Sequence, residues 1–140
     1  MSKFLYTLML FPLCCLSDVM IQEDVKITGK NYLAENVSIR LADGGFIHAL
    51  EAGCKIPCIE KRVLYTYKDW QEKITLSLYN IGSELEGESN FIGDFSVVKI
   101  PHEVRAGSKI EVYFKASEKG VWISLAKDNE NMELIKELPL

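Results

Sequence analysis

The chain has 140 residues, of which 48% are hydrophobic and 26% charged, with a formal net charge of −4. That length fits one domain able to bury a core without disulfide staples. The acidic balance, with Lys and Arg scattered rather than striped, excludes a phosphate-tracking nucleic-acid binder and a cationic membrane-surface role.

Residues 1–17 form an apolar leader. Residues 4–16 read FLYTLMLFPLCCL after a lone Lys3. This run is too short for a stable membrane span. It fits the core of a signal peptide with cleavage near Ser17, which slightly favours a secretory route. The alternative is a remnant of an upstream domain, which would leave the protein cytoplasmic. Residues 18–36 are mixed and polar, broken at Gly29-Lys30-Asn31, and read as a linker.

From Val37 the chain is a succession of short strands and turns. Residues 38–41 lead into Ala42-Asp43-Gly44-Gly45, a hairpin signal because Asp-Gly tolerates positive φ. Residues 46–51 return, and 53–57 form a loop. Residues 62–67 (RVLYTY) are rich in β-formers, and Lys68-Asp69-Trp70-Gln71 turns the chain. In residues 73–79, Ile74, Leu76 and Leu78 share one face. An acidic loop spans 80–90. Residues 91–128 then predict three strands. Ile110, Val112 and Phe114 alternate with Lys109, Glu111, Tyr113 and Lys115, and Ser117-Glu118-Lys119-Gly120 supplies a turn. Residues 131–138 suit a short helix by propensity or a last edge strand. Many short strands with turns between them predict an all-β antiparallel sandwich over residues 37–140.

Within this order, several pieces carry a resemblance: VSIRLADGGFIHAL with its Gly pair, Lys55-Ile56-Pro57 closing a polar loop, RVLYTYKDWQEKITLSLY, and ELEGESNFIGDF. Together with residues 91–128 they resemble the peptide-binding β-domain of the seventy-kilodalton heat-shock chaperones. The likeness covers residues 37–128, about two thirds of the chain. It implies a chaperone-type, stress-response sandwich that holds unfolded or extended polypeptide between its loops. Main-chain hydrogen bonds would hold any sequence, and an apolar pocket would select aliphatic side chains. By position, Leu64, Ile74, Leu76 and Ile110 would line that pocket, with Leu41 a further member. The alternative is that all five are simply core. Tyr67 stands where the family has a small residue arching over the peptide, so it would narrow the channel, block it or stack on the peptide. Ser124 replaces a buried aliphatic, which leaves the facing of its strand open. If the groove is lost, the chain is a divergent or truncated relative serving as a structural or interaction module.

No Gly-rich phosphate loop occurs, and the chain has no room for the family's ATPase domain or helical lid. The expectation is therefore a non-enzyme that binds peptide without cofactor or intrinsic ATPase, any ATPase coming from a separate partner. His48 and His102 lack a nucleophile partner in sequence and read as surface residues. Cys54 and Cys58 read as ordinary small residues at a loop and a strand start, though an oxidising compartment would permit a disulfide. Metal is not expected, because paired-Cys zinc spacing is absent. Glu84, Glu86 and Glu88 read as a solvated loop, Trp122 as core and Trp70 as an exposed contact.

Overall fold

The computed structural model describes residues 18–23, 25–41, 43–82, 89–101, 107, 109–126 and 131–137. The described residues form strands β1 (Asp18–Gln22), β2 (Ile27–Thr28), β3 (Tyr32–Leu33), β4 (Glu35–Arg40), β5 (Phe46–Leu50), β6 (Cys58–Tyr65), β7 (Ile74–Gly82), β8 (Ser89–Val98), β9 (Lys109–Ser117), β10 (Gly120–Leu125) and β11 (Glu133–Glu137). No helix among them is long and apolar enough to cross a membrane.

Two antiparallel sheets result, one ordered β1-β10-β9-β6 and the other β11-β8-β7-β4-β5, with β2 and β3 pairing as a small separate hairpin. Period-2 alternation dictates what lies between the sheets. In β9, Ile110, Val112, Phe114 and Ala116 are buried. From the opposing sheet come Leu76 and Leu78 of β7, Phe95 and Val97 of β8, and Val37 and Ile39 of β4. Each such Val, Leu, Ile or Phe side chain taken wholly out of water contributes about 1.5–3 kcal/mol.

In β10, Val121, Ile123 and Leu125 point into this core, which settles the facing left open by Ser124. Ser124 lies on the outer face, where its hydroxyl donates to the Asp18 carboxylate of β1. Trp122 shares that outer phase and is half-buried opposite Met20, so it is not the core residue expected. Alternation, rather than ring size, assigns it.

The segment read as a linker supplies β1, which pairs with the edge of β10. Gly120 makes this approach possible, because a Cβ there would stand 2.7 Å from the Gln22 carbonyl oxygen. Residues 133–137 resolve the helix-or-strand alternative as a strand on β8. The β6 strand is displaced from its expected span: it runs from Cys58 and ends at Tyr65, leaving Tyr67 in the following loop. Pairing decides this, since β9 supplies partners from Cys58↔Ala116 to Tyr65↔Lys109.

The loop before β6 also differs from expectation. Cys54 and Cys58 are joined as a disulfide, with Cα atoms 6.2 Å apart, and the Ile56–Pro57 bond between them is cis. Backbone hydrogen bonds clasp this loop to the small hairpin: Leu33 N–H to Cys54 O (2.9 Å), Gly53 N–H to Leu33 O (2.8 Å) and Ile56 N–H to Asn31 O (2.8 Å).

Candidate functional site

Strand register brings the predicted site residues to one end of the sandwich. Leu64 on β6 faces Ile110 on β9 as a direct cross-strand pair. The loop 66–73 carries the chain from that end of β6 into the start of β7 at Ile74. Since Ile39 of β4 pairs with Leu78 of β7, Leu41 lies level with Leu76 at the same end. The β8–β9 connection closes in as well, with Gly107 N–H donating to Thr66 O (2.6 Å) and Ile100 N–H to Glu72 O (3.2 Å).

Burial sorts these side chains into layers. Ile110 and Leu76 are 1% and 5% exposed and belong to the core. Leu64 and Ile74 are half-buried and pack against it. Leu41 and Tyr67 stand at the rim, 37% and 78% exposed. The solvent-facing ring of Tyr67 is thus not folded into the sandwich end as a plug.

The loop 66–73 is held by a buried side chain that sequence reasoning did not single out. Gln71, 5% exposed, accepts from the Tyr67 N–H through Oε1 (2.8 Å) and donates from Nε2 to the Lys73 carbonyl (3.0 Å). A buried amide paired on both sides fixes a loop that has no ladder of its own. Around this clasp, Tyr65, Tyr67 and Trp70 present their rings outward. The Lys68 ammonium lies 5.7 Å from the centre of the Tyr67 ring. Trp70 carries φ +64°, a left-handed conformation that is costly for a bulky residue. The exposure expected for Trp70 is observed; its backbone strain had no sequence signal. At the facing hairpin, Leu41 N–H donates to Gly45 O (2.7 Å) and Asp43 Oδ1 accepts from the Gly45 N–H (2.8 Å), with Gly44 at φ +91°. This is the turn chemistry that Asp-Gly predicts.

Charge enters at the margin. Lys73, closing the loop, makes an ion pair with Glu137 of β11 at 2.5 Å. That hydrogen bond, helped by one from Ser96, holds the Glu137 carboxyl below the usual carboxylate range. The hydrogen bond of Lys99 to Glu133 likewise raises the Lys99 ammonium above its ordinary value.

Other features lie apart. Ser38 Oγ and His48 Nδ1 are 2.7 Å apart, so His48 has the hydroxyl partner that its sequence context lacked. Ser38 is wholly buried, however, and cannot reach a substrate carbonyl. A concavity of about 440 Å³ opens between β1 and β11, lined by Met20, Ile21, Gln22, Glu23 and Lys136, away from the loop 66–73. Among the described residues no group of three or more His, Cys, Asp or Glu gathers as a metal site. His102 and Glu84, Glu86 and Glu88 lie outside the described residues.

The described residues thus define an antiparallel all-β sandwich domain with loops gathered at one end. Comparison with known proteins narrows it. The family profile described as Hsp70 protein matches residues 21–137. A heat shock protein homolog of Encephalitozoon cuniculi is 30% identical over 95 residues, covering 68% of this chain and 14% of its own length. The mitochondrial-type heat shock protein 70 of the same organism is 24% identical over 105 residues, covering 71% and 18%. Chaperone protein DnaK of Thermotoga maritima is 28% identical over 92 residues, covering 66% and 15%. The chain belongs to the Hsp70 family, and it spans less than a fifth of the length of these relatives.

Proposed function

We propose that this chain binds extended apolar segments of unfolded polypeptide at the Leu64–Ile74 end of its sandwich, without ATP turnover of its own. The observation that carries this reading is the layering there: half-buried Leu64 and Ile74 over a closed core, beneath an exposed rim of Leu41 and Tyr67. An incoming aliphatic side chain would cover the two half-buried residues. The peptide backbone would find polar groups on the loops, as extended ligands do at sheet ends and edges. The exposed Tyr67 ring then flanks the peptide rather than excluding it. Any ATP-driven release would fall to a separate ATPase partner.

Titration of a dye-labelled, Leu-rich heptapeptide tests this. Saturable binding is expected, together with its loss in Leu64→Asp and Ile74→Asp variants whose denaturation midpoints show them folded. Absence of saturable binding, or binding untouched by both substitutions, sinks the proposal. Steady-state ATP hydrolysis by the purified chain is expected to stay at background.

A second reading takes the chain as a structural or interaction module with no open groove. The near-complete burial of Leu76 and Ile110 favours it, because both are already covered by the chain itself. The same titration separates the two.

A further inference from the structure

We propose that the apolar segment 4–16 of this chain occupies the peptide-binding end of its own sandwich and competes there with incoming polypeptide. This rests on the peptide-binding reading and names an occupant for that site.

Strand register supplies the geometry. At the level of Asp18 on β1 stand Ser124 on β10, Tyr113 on β9 and Lys61 on β6. Because β1 and β6 are both antiparallel partners of the strands between them, moving backwards from Asp18 corresponds to moving forwards along β6. Three positions on from Lys61 is Leu64, opposite Ile110. Read backwards, the described part of β1 thus runs toward the end of the sheet that carries Leu64, Tyr65 and the loop 66–73. The opposite end, with Cys58 and Ala116, lies behind it.

Reach is ample. Three inter-strand gaps of about 4.8 Å and a rise of about 10 Å put Leu64 roughly 17 Å from Asp18. The ten residue steps from Leu8 to Asp18 span up to about 33 Å when extended. A short flexible tether of this kind holds its end at an effective concentration on the order of millimolar. Any site that binds such a segment more tightly than that is mostly filled by its own chain.

The chemistry of the segment matches the site. Residues 4–11, FLYTLMLF, contain no charge, Gly or Pro, and they supply Leu5, Leu8 and Leu10 as aliphatic side chains. Phe4, Tyr6, Thr7 and Phe11 are residue types that favour the extended form. Leu64 and Ile74 are half-buried, and Leu41, Tyr65, Tyr67 and Trp70 are exposed large apolar side chains at the end it reaches. Covering them with residues 4–11 would bury apolar surface on both partners.

The test uses the full-length chain, its N-terminus verified by intact mass, and the labelled Leu-rich heptapeptide as probe. A Leu8→Asp, Leu10→Asp double variant is compared with the unaltered chain. If about nine-tenths of the molecules are self-occupied, the variant binds the probe roughly tenfold more tightly. Benzoylphenylalanine placed at Leu8 should cross-link within one chain to the loop 66–73 or to Leu41. Equal probe affinity in the two proteins overturns the inference and leaves the peptide-binding reading standing. Failure of both proteins to bind the probe, with cross-links landing elsewhere, removes both. Cross-links that join two chains overturn the proposal as stated, because the occupant is then a second copy.

Discussion

The two ends of strand β6 are built on opposite principles. Where the strand begins, at Cys58, the chain is tied: a disulfide to Cys54, and three backbone hydrogen bonds from the loop to Asn31 and Leu33. Leu33 is itself 3% exposed and belongs to the core. Where the strand ends, at Tyr65, the chain passes into a loop held by a buried glutamine and by backbone hydrogen bonds from Gly107 and Ile100, with aromatic rings left in solvent. At the first end Leu33 is explained by burial, while Ile59 and Tyr32 stay exposed. At the second end Tyr65, Tyr67 and Trp70 stay exposed together beside half-buried Leu64 and Ile74, and there an apolar partner has contiguous surface to cover. One end anchors the strand and the other presents it.

The largest expected effect lies at the anchored end. Replacing both cysteines, Cys54→Ser with Cys58→Ser, opens a ring with three residues between its bridgeheads. On the loop-entropy account that costs about 2 kcal/mol, read as a lowered denaturation midpoint. Amide exchange at Leu33 and Ile56 should quicken, because their acceptors sit on or against the freed loop. Peptide affinity should stay within about twofold, since additivity holds for distant sites. A parallel collapse of affinity would show that the two ends are not independent.

The same contrast shows what the sequence could convey. Strand identity and facing were legible in β7 and β9, because apolar residues recur there at every second position and the core admits only one phase. In β10 the strand was legible, but Ser124 left its facing open until the structure placed Val121, Ile123 and Leu125 inward. The placement of Leu64, Ile74 and Ile110 at one end came from the family resemblance, which carries pairing order that periodicity alone does not. The rest depends on long-range partners. Nothing local marks Gln71 as buried, since its role depends on the amide of Tyr67 and the carbonyl of Lys73 meeting over it. Cys54 and Cys58 likewise could not be told from unpaired thiols without the fold of the loop between them. Trp122 was misjudged because a large ring suggests core, whereas its neighbours on either side own the inward phase.

A smaller effect is expected at the presenting end from Gln71→Ala. It removes the buried Gln71 amide and strands the Tyr67 N–H and the Lys73 carbonyl, costing about 1–2 kcal/mol. Here stability and function should fall together: the loop 66–73 loses its clasp, and affinity for the Leu-rich heptapeptide drops severalfold. Gln71→Glu sharpens the point. It keeps an acceptor for Tyr67 but sets a buried carboxylate oxygen against the Lys73 carbonyl, so it should fall at least as far as the alanine variant in both denaturation and titration. If Gln71→Ala lowers stability while affinity is untouched, the loop is structural and the contrast between the ends dissolves.

The smallest effect should also have the opposite sign. Trp70 pays for a left-handed backbone with φ +64° while its ring is 65% exposed, so little packing offsets the strain. Glycine tolerates that conformation freely, although it carries more entropy in the unfolded chain. Trp70→Gly should therefore leave the midpoint unchanged or raise it by up to about 1 kcal/mol of stability. If the ring contacts peptide, its loss removes about 1 kcal/mol of aromatic contact, or roughly fivefold in affinity. Stability rising while binding weakens is the pattern of a residue kept in strain for what it touches. A variant that gains stability and binds peptide as well as the parent would strip Trp70 of that role and leave Tyr67 as the aromatic to test next.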